Sequence, residues 1–234
     1  EGEVESELNI EEARAEMRFG NSEETVKISS WIHAVEQLGI IEVEAAETSF
    51  SAELKNPEFG EIGTEKEYVY CKEKREISQG NLKDLKYPPV IKKQEGELQW
   101  FCQPVNDEFS YGVILGIRRV RNVTRLVWKI ASSDDGRDWI EQGKKDVLYG
   151  LSAGNEFFDS HKQWWKNYWE KSCLCIPDKF VEKQWYMTNY LFASTSRKGG
   201  VPMPLQGVWT ADEGTLPPWK GDYHNDLNTE LSYT

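Results

Sequence analysis

Short apolar runs dominate the first half of the chain and predict β-strands. Residues 25–34, 39–46 and 48–54 are rich in β-branched and aromatic side chains that partly alternate with polar ones, which is typical of strands. After a charge-rich stretch at 60–95, which fits either a long hairpin or a surface insertion, the segments ELQWFCQPV, SYGVILGIRRV and TRLVWKIASS continue the pattern. Many strands at short spacing predict an antiparallel β-sandwich.

The segment SYGVILGIRRV has one well-filled face. Its odd-numbered positions from Tyr111 to Ile117 carry large side chains, whereas Gly112 and Gly116 lie on the other face. Because successive side chains of a strand point to opposite sides, this spacing predicts a strand with one apolar face.

The pattern changes to a helical one after SSDDGRDW, and residues 138–159 are interpreted as a mixed connector. Ser160 with Gln163 three residues later fits a capping box and predicts a helix start. The helix that follows carries four large aromatic side chains on one broad face: Trp164, Trp165, Tyr168 and Trp169. Core packing is the favoured interpretation, with stacking on sugars as the alternative.

A second helix is predicted after IPD, with Asp178 as its N-cap and Gly199 or Gly200 as its C-terminal cap. The helix is apolar over much of its circumference, which predicts burial between neighbouring elements. Together the two helices are interpreted as the opening of an α-helical domain.

Composition and charge restrict the possible partners. The chain has 234 residues, is 38% hydrophobic and carries a formal net charge of -12 at pH 7. Phosphate binding needs clustered Lys and Arg, so no nucleic acid is expected as a partner. No stretch of about twenty apolar residues occurs, so no membrane span is expected either. Cytoplasmic and secreted locations both stay open.

Four cysteines (Cys71, Cys102, Cys173 and Cys175) are too scattered for a disulfide framework or a zinc site. We expect them to be free or packing residues. No phosphate loop and no G-x-S-x-G nucleophile elbow occurs in the sequence, and no cofactor is expected.

The densest polar chemistry lies in LPPWKGDYHNDLNTELSY near the C-terminus. Polar residues occupy every second position: Asp222, His224, Asp226, Asn228 and Glu230. The spacing superficially resembles a calcium loop, but Leu227 stands at the sixth position, where that loop needs Gly. Tyr233 stands at the twelfth, where it needs an acidic residue. No metal site is therefore expected.

Sugar chemistry suits the same residues better. Acetals are cleaved by paired carboxylic groups, while neutral polar side chains hold hydroxyls and Trp faces cover the apolar side of the ring. The segment supplies such an inventory: Trp209, Trp219, Asp222, His224, Asp226 and Asn228. A loop whose Asp and Asn side chains only cap turns is the alternative.

The stretch LQGVWTADEGTLPPWKGDYHNDLNTELSY resembles the signature of the catalytic domain of glycoside hydrolase family 95. This is the family of α-L-fucosidases and related α-L-galactosidases. The family pattern is roughly L-Q-G-[IV]-W, then P-P-W, then D-Y-H-x-N-x-N-x-[EQ]-M-N-Y-W. The helices HKQWWKNYWEKS and EKQWYMTNYLFASTSRKGG also resemble those that precede the motif, whereas the strand-rich half resembles the family's β-sandwich only in general texture.

The resemblance implies an (α/α)6 barrel and an inverting mechanism, in which two Asn hold and polarise the attacking water. Asn228 matches the second Asn, whereas Asp226 stands at the first. His224 matches the His of the sugar pocket, and Glu230 matches the [EQ] position. The matched residues give Asp226 and Asn228 as catalytic residues. Residues expected to bind substrate are His224, Asp222, Trp219, Trp209 and Glu230.

Asp226 departs from the family pattern in a chemically relevant way. A carboxylate in the water-holding position can itself act as the general base of an inverting hydrolase. Leu231, Ser232 and Thr234 also depart, from Met, Asn and Trp respectively. We therefore expect a glycoside hydrolase acting on α-L-fucosyl-like or related sugars.

The proton donor of the family is a Glu later in the barrel, so the sequence is interpreted as a fragment that lacks its general acid. Its partners are then a carbohydrate substrate and the missing remainder of the same polypeptide. The expected domains are a β-sandwich at 1–135, with its N-terminal part missing, a helical linker at 136–175, and the start of the barrel at 176–234.

Two other classes of function remain open. A non-catalytic carbohydrate-binding protein with a glycosidase-like fold fits the departure at Asp226. An interaction module fits if the aromatic side chains form the interface of an orphaned domain. Sugar binding would argue against the interaction module, because the hydrolase and the carbohydrate-binding protein are both expected to bind sugar.

Overall fold

The structure is a computed structural model that describes residues 3–20, 25–45, 52–56, 87–203 and 223–233. The chain divides into two compact units, the first of which comprises Glu1–Asn56 and Pro88–Cys175. The second contributes Tyr87 and residues 176–203 and 223–233 to the described part. Each unit is considered by itself below.

Within the described residues, one antiparallel sheet of eight strands forms the first unit, in the spatial order β1-β2-β3-β4-β8-β7-β6-β5. The strands are β1 (Glu3–Asn9), β2 (Arg14–Gly20), β3 (Thr25–Ile32), β4 (Gly39–Glu44), β5 (Ile91–Glu95), β6 (Leu98–Pro104), β7 (Ser110–Val120) and β8 (Val123–Ser132). The strands expected from residue 25 onward are confirmed, except in the segment 48–54. Residues 52–54 are not a strand, and the start of that segment lies outside the described residues.

The first two strands had no counterpart in the sequence-based prediction. They pair in register from Glu3 with Gly20 to Asn9 with Arg14. Charged residues fill one face of both strands, so their apolar content is low although Val4 and Leu8 alternate correctly on the other face. Pairing with β3 turns this charge-rich hairpin into the edge of the sheet.

Two helices cover one face of the sheet, which we call the covered face. They are α1 (Trp139–Ser152) and α2 (Asn155–Trp169). Trp139, Val147, Leu151 and Phe157 of these helices share a core cluster with strand residues. The strand members of that cluster are Trp31, Ile40, Leu98, Trp100, Cys102, Ile114, Val127 and Ala131. Burial of this apolar surface is what holds the helices on the sheet.

The connector expected at 138–159 contains one helix and the start of a second, and the helix start expected at Ser160 is wrong. Residues 139–152 form α1, and α2 begins at Asn155 after Gly154 as its N-cap. Ser160 lies inside α2, where its hydroxyl donates to the carbonyl of Phe157 at 2.8 Å. A Ser that bonds back to the preceding turn is compatible with a helix interior, so the S-x-x-Q spacing alone did not mark the start.

Glycines allow α1 to approach the sheet closely. A β-carbon on Gly116 of β7 would stand 2.6 Å from Leu151 Cδ1, and one on Gly150 of α1 would stand 2.8 Å from Val127 Cγ1. Contacts this short do not occur between real side chains, so each position needs the absence of a β-carbon. The glycine face predicted for β7 is therefore where a helix packs.

The opposite face of the sheet, which we call the open face, is also apolar. Its inner part forms a second cluster around Val43, Leu115 and Leu126, against which Ala52 and Leu54 pack. Farther out, large apolar side chains that share this face by strand register are more than a third exposed: Val4, Leu8, Met17, Phe19, Ile32 and Ile130. The antiparallel sheet with its helices agrees with the β-sandwich class in the coarse sense of a β-layer plus helices.

The second unit contains α3 (Lys179–Thr195) and α4 (Leu227–Tyr233) among its described residues. The N-cap prediction is confirmed, because the Asp178 carboxylate accepts from the N–H groups of Phe180 and Val181 at 3.0 and 3.1 Å. The C-terminal prediction is wrong, because the helix ends at Thr195 with Ser196 as its cap.

The expected burial of α3 is not seen in the described part of the chain. Ala193 is its one buried residue, while Phe180 and Val181 are 71% and 49% exposed. The apolar surface of α3 therefore has no covering layer among the described residues. No helix of the described ranges is both long and apolar enough to cross a membrane.

Candidate functional site

The polar segment selected from the sequence forms a turn followed by a short helix. Tyr223 and His224 lead into a turn at Asn225 and Asp226, after which α4 begins at Leu227. Glu230 lies on α4, and Asn228 lies in its first turn, with only its backbone described. Three expected site residues, Trp209, Trp219 and Asp222, lie outside the described residues.

Two hydrogen bonds tie this turn to α4. The backbone N–H of Glu230 donates to the carbonyl of Asp226 at 3.0 Å, which is the first helical bond of α4. The hydroxyl of Thr229 donates to the carbonyl of His224. His224 and Asp226 are therefore held by their backbones at the start of the helix.

Thr229 was not among the residues expected from the sequence. Its family position is a variable one, and a hydroxyl residue in a first helical turn is too common to be a signal by itself. Only the folded turn shows that its hydroxyl reaches the carbonyl five residues earlier.

Helical geometry regroups the polar residues that alternate in the sequence. Asp226 and Glu230 are four residues apart, and the Glu230 N–H donates to the Asp226 carbonyl, so their backbones are one helical turn apart. Both are exposed, whereas His224 is half-buried. A carboxylate that water can reach is able to accept a proton or to bind a hydroxyl group.

The carboxylates at the start of α3 serve the helix itself. Glu182 accepts from the Ile176 N–H at 2.8 Å and pairs with Lys179 Nζ at 2.9 Å. The backbone N–H of Ile176, with Lys179 beside it, holds the pKa of the Glu182 carboxyl below its usual value. A carboxylate engaged in this way anchors the chain entering α3 and is a weak candidate for proton transfer.

Packing explains the aromatic side chains of α2. Trp165 is 2% exposed and meets Trp169 with ring centroids 6.1 Å apart. The indole N–H of Trp169 donates to the carbonyl of Ile10 at 3.1 Å. Trp164 and Tyr168 stack on each other at 5.8 Å. The favoured interpretation of these rings as packing residues fits these contacts.

Ligand sets for metals are sparse in the described ranges. No group of three His, Cys, Asp or Glu side chains there is arranged to hold a metal ion. Cys102 is free and buried, and Cys173 and Cys175 are free and exposed, while Cys71 lies outside the described ranges. Burial raises the pKa of the Cys102 thiol, which makes it an inert packing residue.

Comparison with known proteins gives the site a family context. Residues 161–234 match the glycosyl hydrolase family 95 catalytic domain. Two curated fungal proteins named "Probable alpha-fucosidase A" are similar to parts of the chain. The one from Aspergillus niger is 42% identical over 57 residues, and the one from Aspergillus oryzae is 36% identical over 56 residues. The resemblance to family 95 is therefore confirmed for the C-terminal third of the chain.

The matched segments are small parts of these relatives. Each alignment covers 24% of this chain, but 7% of the Aspergillus niger protein and 8% of the Aspergillus oryzae protein. A solved structure of a protein assigned as a kojibiose phosphorylase, from the human microbiome, matches 82% of this chain and 26% of its own with a TM-score of 0.52. At 8% sequence identity, this likeness shows a shared fold and nothing about activity.

Proposed function

We propose that this chain is part of a glycoside hydrolase that cleaves α-L-fucosyl-like or related sugars with inversion at the anomeric carbon. The observation that carries the proposal is the match of residues 161–234 to the family 95 catalytic domain. The motif residues His224, Asp226 and Glu230 all fall in this segment. The names of the fungal relatives support the fucosyl class of substrate.

In the proposed mechanism, Asp226 and Asn228 hold the attacking water. Inverting hydrolysis needs a base that takes a proton from this water while an acid protonates the leaving oxygen. A carboxylate at position 226 can take that proton directly, and the amide at 228 can orient the water. The exposure of Asp226 and the fixed backbone of its turn support this role.

The remaining motif residues are proposed to bind the sugar. His224 and Glu230 flank Asp226 in the sequence, and their polar groups can hold hydroxyls. Asp222 adds a further acceptor. Trp209 and Trp219 supply indole faces for the apolar side of the sugar ring.

The general acid is proposed to come from a part of the polypeptide beyond Thr234. An inverting hydrolase without its acid keeps the base but cannot protonate an ordinary leaving group. We therefore expect the isolated 234-residue chain to be inactive on glycosides with an alkoxide leaving group, such as a methyl α-L-fucoside, because that group must be protonated as it leaves. The assay compares it with the complete polypeptide, and turnover by the isolated chain contradicts this part of the proposal.

The fold proposal assigns residues 1–135 to a β-sandwich, 136–175 to a helical linker and 176–234 to the start of an (α/α)6 barrel. The exposed apolar side chains on the open face support a second β-layer there, because two packed sheets bury such faces against each other. The exposed Phe180 and Val181 on α3 support further barrel helices in the same way.

A non-catalytic carbohydrate-binding protein is the second candidate, favoured by the departure at Asp226. Both candidates are expected to bind sugar, but only the hydrolase is expected to turn it over. A panel of α-L- and other glycosides, tested on the complete polypeptide, separates them. Sugar binding measured by Trp fluorescence without any turnover supports the second candidate, whereas hydrolysis supports the first.

A further inference from the structure

Two of the three histidines in the chain are buried beside each other in the first unit. His33 follows β3 and is 2% exposed, and His161 lies on α2 and is fully buried. Their ring centroids are 5.7 Å apart. Neither residue belongs to the proposed sugar site, so their burial calls for a separate explanation.

His161 joins α2 to two turns of the sheet. Its Nδ1 accepts a hydrogen bond from the backbone N–H of Ala34 at 3.1 Å, and its Nε2 donates to the carbonyl of Glu12 at 2.7 Å. A backbone N–H can only donate and a carbonyl can only accept. These partners therefore fix the imidazole in its neutral form, with the proton on Nε2.

His33 is held in the same tautomer. Its Nδ1 accepts from the backbone N–H groups of Val35 and Glu36, both at 3.1 Å. Its Nε2 lies 2.9 Å from the carbonyl of Phe157 and 3.1 Å from Ser160 Oγ, both on α2. The ring thus caps its own turn with one nitrogen and reaches α2 with the other.

Protonation at Nδ1 is incompatible with this arrangement. A proton on His161 Nδ1 would point at the N–H of Ala34, and one on His33 Nδ1 would point at two N–H groups. Each added proton replaces hydrogen bonds by contacts between donors and places a charge in a site shielded from water. The charged forms are therefore excluded while α2 stays docked.

Few charges face the pair from the surrounding elements. Glu36 on the turn after β3 favours a charged His33. The guanidinium of Arg14 on β2 lies over the ring of Phe158, 5.0 Å from its centroid. Lys162 on α2 lies over the same ring at 5.2 Å and pairs with Asp159. Glu12 contacts His161 through its backbone carbonyl, and the ring of Tyr149 on α1 packs against the ring of Phe157.

We propose that His33 and His161 form a pH-sensitive latch that holds α2 on the sheet at neutral pH and releases it in acid. The latch spans three elements: the turn between β1 and β2, the turn after β3, and α2. Because α2 contains the first residues of the family match, release would alter the helix that leads into the proposed catalytic part.

The sign of the pH effect follows from burial. Burial lowers the pKa of His33 from its ordinary value of 6.5, so between that value and the folded one the unfolded chain binds more protons than the folded chain. Stability is therefore fully present above about pH 7.5 and is lost as the pH falls below 6.5. Each excluded imidazolium raises the unfolding constant up to about tenfold per pH unit.

Two Glu carboxyls paired with cations on the sheet do not titrate in this window. Against the opposing effect of burial, the hydrogen bond from Lys27 lowers the pKa of the Glu16 carboxyl below its ordinary 4.5, and the hydrogen bond from Arg118 does the same for Glu97. A loss of stability between pH 7.5 and 5 that disappears when both histidines are replaced then reports the imidazoles.

Histidine NMR on the full 234-residue chain tests the latch directly, because only three imidazoles contribute and a His224→Gln variant leaves the latch pair alone. At pH 7.5 we expect both imidazoles as the Nε2-protonated tautomer, with no titration before structure is lost. An imidazole that titrates near pH 6.5 without structural change, or that carries its proton on Nδ1, overturns the proposal.

Amide hydrogen exchange, corrected for the intrinsic pH dependence, provides the local readout. From pH 7.5 to 5 we expect protection to fall in α2 and in residues 33–36, while α3 in the second unit keeps its level. Unchanged protection of α2 at pH 5, or an equal loss in α2 and α3, contradicts the release of α2.

Substitution by Asn gives an independent test, since its side-chain oxygen can replace Nδ1 as acceptor but does not titrate. The double variant His33→Asn/His161→Asn should lose most of the pH dependence of the urea midpoint between 7.5 and 5, while His224→Gln should keep it. If the double variant does not fold, the wild-type NMR and exchange results still decide the matter.

Discussion

Gly116 on β7 lies directly beneath Val147 on α1, so closely that a β-carbon on residue 116 would stand 2.7 Å from Val147 Cγ1. Val147 is fully buried and belongs to the main core cluster. The contact explains why one face of β7 carries glycines, because α1 packs closely against that face. It also shows that α1 and the sheet pack at a separation that no larger residue tolerates.

Replacing Gly116 by Ala should lower the free energy of unfolding of the chain by about 1–3 kcal/mol, because overpacked cores force shifts of side chains or backbone. Urea denaturation followed by circular dichroism measures the change. Gly200→Ala is the matched control, since its β-carbon would meet only the carbonyl of Arg197 at 3.3 Å. Equal stability of Gly116→Ala and wild type would contradict the close packing.

Arg125 closes the C-terminal end of α1. Its Nη1 donates to the carbonyl of Ala153 at 2.6 Å and to that of Gly150 at 3.3 Å, while its Nε donates to Glu42 at 2.9 Å. Lys cannot make these bonds together, so Arg125→Lys should cost about 1.5 kcal/mol. Thermal melts measure the loss.

Arg118→Lys serves as the comparison for Arg125→Lys. Arg118 also binds a glutamate by two bonds, to Glu97 at 2.8 and 2.6 Å, but both of these bonds lead to the turn between β5 and β6 and not to a helix. Exposed pairs of this kind contribute little, so its loss should be below about 0.5 kcal/mol. If the two variants are equally stable, the helix-capping role of Arg125 is wrong.

Asp178 is expected to set the start of α3. Asp178→Ala removes the acceptor of two backbone N–H groups and should cost the second unit about 1 kcal/mol. Asp178→Asn keeps a good cap and should restore most of the stability. Amide exchange in the first turn of α3 separates the two variants, and indistinguishable exchange would rule out the cap as a stabilising feature.

The sequence predicts the strands from Thr25 onward because their apolar alternation is strong. It does not predict β1 and β2, because their charged face obscures the alternation of Val4 and Leu8. The two strands join the sheet through the pairing of β2 with β3. The Asp178 cap is local chemistry and is predicted correctly. The start of α2 is missed because a Ser can bond within a helix as well as before it.

For the candidate site, the sequence identifies the residues, and the structure shows the turn in which they lie. The family motif selects His224, Asp226 and Glu230, while the bond from Thr229 to the His224 carbonyl depends on folding and has no sequence signal. The buried histidines were likewise not selected. His33 stands between apolar neighbours in WIHA, but only the fold shows which backbone groups its nitrogens meet.

The kcat of the complete polypeptide on an aryl α-L-fucoside, wild type against Asp226→Asn, tests the central proposal most directly. An aryl leaving group needs little protonation, so the comparison isolates the base. We predict turnover with inversion by the wild type and a loss of about 10²–10⁴-fold in kcat for Asp226→Asn, with ligand binding retained. Asn225→Asp, a change at the neighbouring exposed residue, should leave kcat nearly unchanged. Equal kcat values for wild type and Asp226→Asn would exclude the Asp226 carboxylate as the base, because an Asn at this position matches the family pattern for holding the water. No turnover of any glycoside by the wild type would contradict the proposed function.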